Sequence, residues 1–200
     1  MSDATIVTAD EARWEDVEAV FGTRGTAAIC WCQRYKLRPG EAFSKFPVEE
    51  RAHRLRTQTD AVPTTGLVAY LDGEPAGWCG VEPRPRYGGL LRNNRVPWEG
   101  RSEDKGDESV WAATCVFTRA GSRGRGVAYA LAHAAVDHAR GHGARALEAY
   151  PIITAPGLRV TTDEIHVGTR SIFEAAGLAE VHHPTLRRIV MRIDFQEATT

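Results

Sequence analysis

The sequence is poor in lysine, in net charge and in long apolar segments. Lysine occurs only at Lys36, Lys45 and Lys105, so the 25 basic residues are mostly arginine. A formal net charge of −1 gives no reason to expect nucleic acid or an anionic membrane as a partner. No apolar run reaches the roughly 20 residues of a membrane-spanning helix. The first residues also lack the basic and then apolar pattern of a leader. We therefore expect a cytoplasmic protein without membrane association.

Cysteine is also scarce, with four residues in the chain. In the cytoplasm they should stay reduced, which excludes a disulfide framework. Cys30-x-Cys32 has no second Cys/His pair at the spacing of a structural zinc site, so we expect no metal. Cys79 and Cys115 lie inside predicted strands and are interpreted as small core residues. The sequence assigns no role to Cys30 and Cys32.

The size and the periodicity of the chain predict one domain over residues 1–200. Apolar residues are 42% of the chain, which suits a globular protein with a proper core. Asp10 is predicted to cap the first helix, and a hairpin is expected to turn at Asp72-Gly73. His182 and His183 are predicted to lie in a turn before the last strand.

The richest local pattern lies at residues 115–128, CVFTRAGSRGRGVA, where an apolar strand runs into a glycine- and arginine-rich loop and then a helix. The free N–H groups of a first helical turn and the helix dipole attract an anion. Gly124 and Gly126 allow the backbone to approach a phosphate, and Arg123 and Arg125 offer guanidinium donors. This pattern predicts a site for a phosphate-bearing ligand.

Two known phosphate-binding loops fit this pattern less well. A nucleotide P-loop ends in Gly-Lys-Ser/Thr, whereas this loop continues Gly126-Val127-Ala128. A dinucleotide-binding loop could use Gly124 and Gly126, with Glu148 on the ribose, but Tyr129 occupies its third glycine position. That alternative is disfavoured further by the antiparallel hairpin that precedes the loop.

Arg123-x-x-Gly126-x-Ala128 resembles the Arg/Gln-x-x-Gly-x-Gly/Ala signature of the GNAT superfamily of acyl-CoA-dependent N-acetyltransferases. The later segment TRSIFEAAGLAEV resembles the late helix and turn of that family, and the similarity covers residues 66–193. The resemblance implies an α/β fold with a mixed, mostly antiparallel sheet. This sheet would be splayed between its fourth and fifth strands and flanked by about four helices.

The resemblance also implies the cosubstrate and its contacts. Acetyl-CoA would bind without a metal, in the splay and on the loop. The implied CoA-binding residues are Val116, Phe117, Thr118, Arg123, Gly124, Arg125, Gly126, Val127, Ala128 and Phe173. In this family a backbone N–H near Val116 to Thr118 polarises the thioester carbonyl.

The catalytic side chains are less clear, because the tyrosine that commonly protonates the leaving thiolate aligns with Phe173, which cannot donate. The common glutamate of the fourth strand is also missing. We therefore consider Glu82, Glu148 and Ser171 as catalytic candidates. Tyr150 is a further candidate donor, and His166 a further candidate base.

Together these features predict transfer of an acetyl group from acetyl-CoA to a primary amine of a small molecule, for which an aminoglycoside-type antibiotic is one acceptor. The irregular segments 22–40, 84–106 and 151–166 would shape the acceptor pocket, with Trp31, Tyr35 and Trp98 as candidate lining. The alternative is a non-catalytic acyl-CoA-binding regulatory module. A homodimer is compatible with the family, but no residue specifies it.

Overall fold

The computed structural model describes residues 4–154, 157 and 159–196. The strands are β1 (Thr5–Thr8), β2 (Gly66–Leu71), β3 (Glu74–Pro83), β4 (Val110–Thr118), β5 (Ala146–Ala149), β6 (Ala179–Thr185) and β7 (Arg188–Asp194). The helices are α1 (Trp14–Phe21), α2 (Gly25–Cys30), α3 (Val48–Thr59), α4 (Gly88–Asn93), α5 (Val127–Gly141), α6 (Thr162–Ile165) and α7 (Arg170–Ala175).

The strands form one seven-stranded sheet in the order β1-β2-β3-β4-β5-β7-β6 within the described residues. Strands β4 and β5 pair in parallel, and the other neighbours pair antiparallel. The hairpin between β2 and β3 turns at Asp72-Gly73 as predicted. These findings confirm the predicted mixed, mostly antiparallel sheet flanked by helices.

The pairing of β4 with β5 stops halfway along β4. Registered pairs run from Val110↔Ala146 to Ala113↔Ala149. At that point Thr114 is the extra residue of a bulge against β3, because Gly80 pairs with Cys115 and Val81 with Ala113. The strand then continues to Thr118 without β5 beside it, and this is the predicted splay.

Alternation along the strands separates two apolar layers. Helix α5 covers one face of the sheet with Val127, Leu131 and Ala135, all of which are buried in the core that contains Val116. Its close approach requires Gly77, where a β-carbon would lie 2.8 Å from Val127 Cγ1. The exposed side of the helix carries Tyr129, His133 and Asp137, as the sequence predicts.

Helices α1 and α3 cover the opposite face. Phe21 stacks on Trp31 with ring centroids 4.8 Å apart and contacts Trp78 at 5.5 Å. These aromatic rings pack in the layer that also contains Leu55 and Cys115. The aromatic side chain of Trp31 therefore contributes to packing.

Several local predictions are wrong. Asp10 does not cap a helix, since α1 begins at Trp14 after Arg13. The segments 22–40 and 84–106 contain the short helices α2 and α4, which intrinsic propensity does not favour because each begins with glycine. His182 and His183 lie in β6. None of the helices among the described residues is long and apolar enough to cross a membrane.

Candidate active site

A cleft of about 640 Å³ opens where β4 parts from β5. The end of α1 and the start of α2 form one wall, and residues 160–172 contribute the other. Predicted CoA-binding residues that line it are Val116, Phe117, Thr118, Arg123 and Ala128. Other lining residues include Arg24, Cys30, Cys32, Cys115, Arg119, His166, Gly168, Thr169 and Ile172. The cleft therefore joins the unpaired half of β4 to the loop that precedes α5.

The unpaired edge of β4 presents backbone donors to this cleft. Arg119 N–H donates to Ala76 on β3, so the Thr118 N–H points the opposite way, toward the cleft edge. Two residues earlier, the Val116 N–H faces the same edge and donates to the His166 carbonyl oxygen over 2.7 Å. Val116 also forms an isolated parallel bridge with Val167. The segment around His166 thus lies against the part of β4 that is no longer paired with β5.

The loop before α5 has the geometry of an anion site. Gly124 and Gly126 have φ of 74° and 82°, a conformation that favours glycine. Gly126 is the N-cap of α5, and no side chain from the described residues caps this end of the helix. Its first-turn N–H groups are therefore open to an anion. No atom lies within 4 Å of the position of a β-carbon on either glycine.

Arg125 and Val127 hold this loop in position, and Arg123 faces the cleft. Arg125 forms an ion pair with Asp72 in the β2–β3 turn, with Nη2 2.6 Å from Oδ2. Val127 is buried against Gly77 below the loop. Arg123 is exposed and lines the cleft. Arg123 is thus the loop arginine on the cleft side, whereas Arg125 ties the loop to the sheet.

The late helix α7 places Ile172 in the cleft lining, whereas the predicted Phe173 lies in the core behind it. Phe173 is fully buried in the core, where its ring packs against Gly168. The preceding Ile172 lines the cleft. Ser171 is exposed and shares a 3.0 Å hydrogen bond with Thr169, which itself lines the cleft.

Glu82 lies behind the cleft rather than in its wall. Its carboxylate is buried, forms an ion pair with Lys36 and accepts a 3.0 Å hydrogen bond from Thr65 Oγ1. Lys36 also contacts Gln58. The charges of this pair act in opposite directions on the cleft residue Cys32, because Lys36 lowers its pKa and Glu82 raises it.

Glu148 is fully buried in an arginine cluster. Arg101 and Arg192 contact its Oε1 at 2.5 Å and 2.9 Å, while Arg84 contacts Oε2 at 3.2 Å. The Tyr150 hydroxyl donates to Oε2 over 2.9 Å. Burial alone would raise the pKa of Glu148, but hydrogen bonding and charge from Arg101, with the charge of Arg84, lower it. Glu148 thus stays ionised and joins β5 to its neighbours, away from the cleft lining.

His166, the further candidate base from the sequence, lies in the cleft wall. Its Nδ1 contacts the Asp163 carbonyl oxygen, so the ring proton is on Nδ1 and a lone pair remains on Nε2. This Nε2 is buried and has no hydrogen-bond partner among the described residues. Burial lowers the pKa of His166 to about 4. The Tyr35 ring stacks on it with centroids 6.1 Å apart. His166 is therefore a neutral imidazole whose Nε2 is available to accept a hydrogen bond or a proton.

Cysteine in the cleft is the feature that sequence reasoning missed. Cys30, Cys32 and Cys115 all line it, and each is reduced. The Cys-x-Cys spacing drew attention only to a metal. In the part of the chain that the structure describes, no three His, Cys, Asp or Glu side chains come together as a metal site requires.

Solved structures described as acetyltransferases share this fold. The protein yncA of Salmonella typhimurium, solved with its cofactor acetyl-CoA, is 14% identical, covering 98% of this chain and 96% of that one with a TM-score of 0.55. An N-acetyltransferase from Staphylococcus aureus Mu50 is 15% identical, with 96% and 99% covered and a TM-score of 0.53. A ribosomal-protein-alanine N-acetyltransferase from Brucella melitensis is 16% identical, with the same coverage and TM-score. At these identities the likeness concerns the fold.

Sequence similarity identifies the family. The model of the Acetyltransferase (GNAT) family matches residues 31–155, which is more than half of the chain. The chain belongs to this family, and the resemblance based on Arg123-x-x-Gly126-x-Ala128 is confirmed. No curated protein matches the sequence significantly. The family supports acyl-CoA-dependent acetyl transfer as the activity class.

The arginine cluster yields a prediction about Glu148. Replacing Glu148→Gln should lower the free energy of unfolding by about 3–5 kcal/mol, because buried arginines would lose their countercharge. Urea unfolding measures this loss. The exposed Glu174→Gln, which removes one partner of the Arg170 pair, should change stability by less than about 0.5 kcal/mol. A stable Glu148→Gln protein that has lost only its activity would contradict the structural role and restore Glu148 as a catalytic candidate.

Proposed function

We propose that the protein transfers an acetyl group from acetyl-CoA to a primary amine of a small molecule. The observation that carries this proposal is the continuity of the cleft along the unpaired edge of β4 with the anion-binding start of α5. A ligand that has a polar chain attached to a pyrophosphate fits both ends. Acetyl-CoA has this form, and its use agrees with the family.

CoA binding would use backbone and side-chain donors together. The first-turn N–H groups of α5, from Val127 and Ala128, and the Arg123 guanidinium would hold the pyrophosphate. Gly124 and Gly126 give the loop its conformation, and Arg125 holds it through Asp72. Val116, Phe117 and Thr118 would flank the pantetheine arm. The buried Phe173 would support this wall from the core, behind Ile172.

Polarisation of the thioester requires a donor that is aimed at the cleft. The Thr118 N–H faces that edge, whereas the Val116 N–H donates to His166. We therefore assign to the Thr118 N–H the hydrogen bond that polarises the thioester carbonyl. A hydrogen bond to the carbonyl oxygen would stabilise the negative charge that develops on it as the amine attacks.

The attacking amine must lose a proton, and His166 is our assignment for its acceptor. Nε2 carries a lone pair, lacks a partner among the described side chains and lies in the cleft wall. The lowered pKa keeps the imidazole neutral at physiological pH, as a proton acceptor must be, and it also makes Nε2 a weak base, which takes the proton only after attack on the carbonyl has made the amine N–H acidic. Tyr35 and the Asp163 carbonyl fix the ring orientation.

The earlier catalytic candidates take other places in this proposal. Glu82 would act through Lys36, with which it is paired, rather than on the substrate. Ser171 is exposed beside Thr169 and could donate a proton to the leaving CoA thiolate. Glu148 would be a structural carboxylate.

The charge of the cleft bears on the acceptor. Besides Arg123, which is assigned to the pyrophosphate, its described lining contains Arg24 and Arg119 and no carboxylate. A polycationic aminoglycoside would meet like charges there without a compensating acid. We therefore favour an amine with a single positive charge, or one that also carries an acidic group.

A thiol-release assay tests the function. The protein is incubated with acetyl-CoA and a panel of amines that contains amino acids, monoamines, polyamines and an aminoglycoside, while free CoA thiol is followed. We expect thiol release above background with a monoamine or an amino acid, and weaker release with the polycations. Binding of CoA with no release for any amine would instead indicate the non-catalytic acyl-CoA-binding module.

A second prediction concerns His166. With the best amine, His166→Gln should lower kcat by about 100-fold or more, because glutamine accepts a hydrogen bond but not a proton. The ratio of wild-type to variant kcat should stay constant from about pH 8 to about pH 6, since His166 remains neutral over that range. His133→Gln on the exposed side of α5 serves as the control. A variant with wild-type kcat, or a ratio that falls with a midpoint near the ordinary histidine pKa, would overturn the assignment.

A further inference from the structure

The backbone that carries Arg34 and Tyr35 packs closely on helix α4. The Tyr35 carbonyl oxygen accepts hydrogen bonds from the N–H groups of Gly89 and Leu90 over 2.8 Å and 3.1 Å. A β-carbon on Gly89 would lie 2.9 Å from that oxygen, so this approach leaves room only for glycine. Arg34 is therefore held in a defined position before any ligand binds, which lowers the entropic cost of a contact with it.

The side chain of Arg34 adjoins the wall of the cleft. Its guanidinium lies over the Phe43 ring, with Cζ 5.0 Å from the ring centroid, and it contacts the side chain of Cys30, which lines the cleft. The next residue, Tyr35, stacks on His166 in the same wall. Burial is the main cause of the lowered pKa of His166, and the charge of Arg34 contributes to it. Arg34 is thus close to the proposed base.

This guanidinium has no countercharge in the part of the chain that the structure describes. Arg34 forms no ion pair there, and its buried Nε has no hydrogen-bond partner. Cys30 does not supply the missing charge, because burial raises the pKa of its thiol. A half-buried cation without an anion beside it is energetically costly. The site is therefore prepared for an anionic group.

The charged groups nearest to Arg34 are positive as well. Arg51 lies over the same Phe43 ring at 3.9 Å and donates to two backbone carbonyl oxygens. Arg188, whose charge also acts on His166, donates to another carbonyl oxygen. Neither of them forms an ion pair with a described residue. Of these three arginines, Arg34 is the one whose guanidinium makes no hydrogen bond to an oxygen of the described residues.

We propose that Arg34 binds a carboxylate of the acceptor, and that the acceptor is therefore an amino acid whose amine lies at His166. The fork of a guanidinium matches the two oxygens of a carboxylate. The free acid rather than its amide is the substrate, since the amide would leave the cation of Arg34 uncompensated. This inference rests on the proposed function, because the amine must meet acetyl-CoA in the same cleft.

The same contact discriminates against other amines. A monoamine or a polyamine brings only positive charge toward Arg34, whereas an amino acid also brings the anion that neutralises it. The described lining of the cleft contains no carboxylate that could take over this role. Arg34 is thus a specificity-determining residue, and it acts on the choice of acceptor rather than on the acetyl group.

Matched substrates test this assignment. Each standard amino acid is compared with its amide and with the amine that remains when the carboxylate is removed, and release of CoA thiol is followed. We expect the kcat/KM of the best amino acid to exceed that of its amide by about 30-fold or more, because the amide loses charge-assisted hydrogen bonds. The comparison is conservative, since the amine of the amide is less basic and is more often neutral.

Variants of two arginines locate the effect. Arg34→Met removes the guanidinium and keeps an apolar stem, so it should abolish the preference for the acid, mainly by raising the KM of the acid. Arg34→Lys should retain part of the preference, because it keeps the charge without the fork. Arg38→Met, which changes an exposed arginine of the same segment, should keep the wild-type preference. Calorimetric titration with CoA should give the wild-type affinity for all three variants and shows that they are folded.

The possible outcomes separate the two proposals. An acid and its amide that react equally well with the wild type would overturn the assignment of Arg34 and leave the proposed function intact. A folded Arg34→Met protein that keeps the preference for the acid would do the same, as would thiol release by other amines but by no amino acid. No release with any amine would overturn both proposals.

Discussion

The candidate site depends on one feature of the sheet, which is that strand β4 loses its neighbouring strand halfway along its length. Strand β4 pairs with β5 only as far as Ala113, and the Thr114 bulge follows directly. A strand edge with unpaired N–H and C=O groups demands partners, which a ligand chain or another segment must supply. Here the segment at His166 takes one donor, while the Thr118 edge faces a cleft. The candidate binding site is thus the cleft along the part of β4 that β5 does not pair with.

Other parts of the fold keep this cleft next to the start of α5, where the geometry suits an anion. Helix α5 starts directly after the strand and its loop, and Val127 locks it onto the sheet at Gly77. The Arg125–Asp72 pair ties the same loop to a hairpin turn. On the far side, Arg84 and its neighbouring arginines fix β5 through Glu148. The separation of β4 and β5 is therefore held from both sides by packing and by buried charge.

Sequence patterns predicted the elements with strong periodicity and the motif that spans strand, loop and helix. The hairpin at Asp72-Gly73, strand β4 and helix α5 were all found as expected. Short elements such as α2 and α4 were missed, because six residues that begin with glycine gain their stability from tertiary contacts. Local sequence patterns also cannot predict contacts between residues that are far apart in the chain. The Lys36–Glu82 pair and the Cys32–Cys115 contact join residues that are far apart in the chain.

The central claim is that the start of α5 holds the CoA pyrophosphate, and calorimetry with two matched glycine variants tests it most directly. Gly126 and Gly143 have φ of 82° and 73° at opposite ends of α5, and a β-carbon on either would meet no atom within 4 Å. Each change to alanine should therefore cost a similar stability, about 1 kcal/mol. Gly126→Ala alone should weaken CoA binding, by about tenfold or more, since its β-carbon would occupy the space left for a phosphate oxygen. Equal CoA affinities in the two variants would contradict the account.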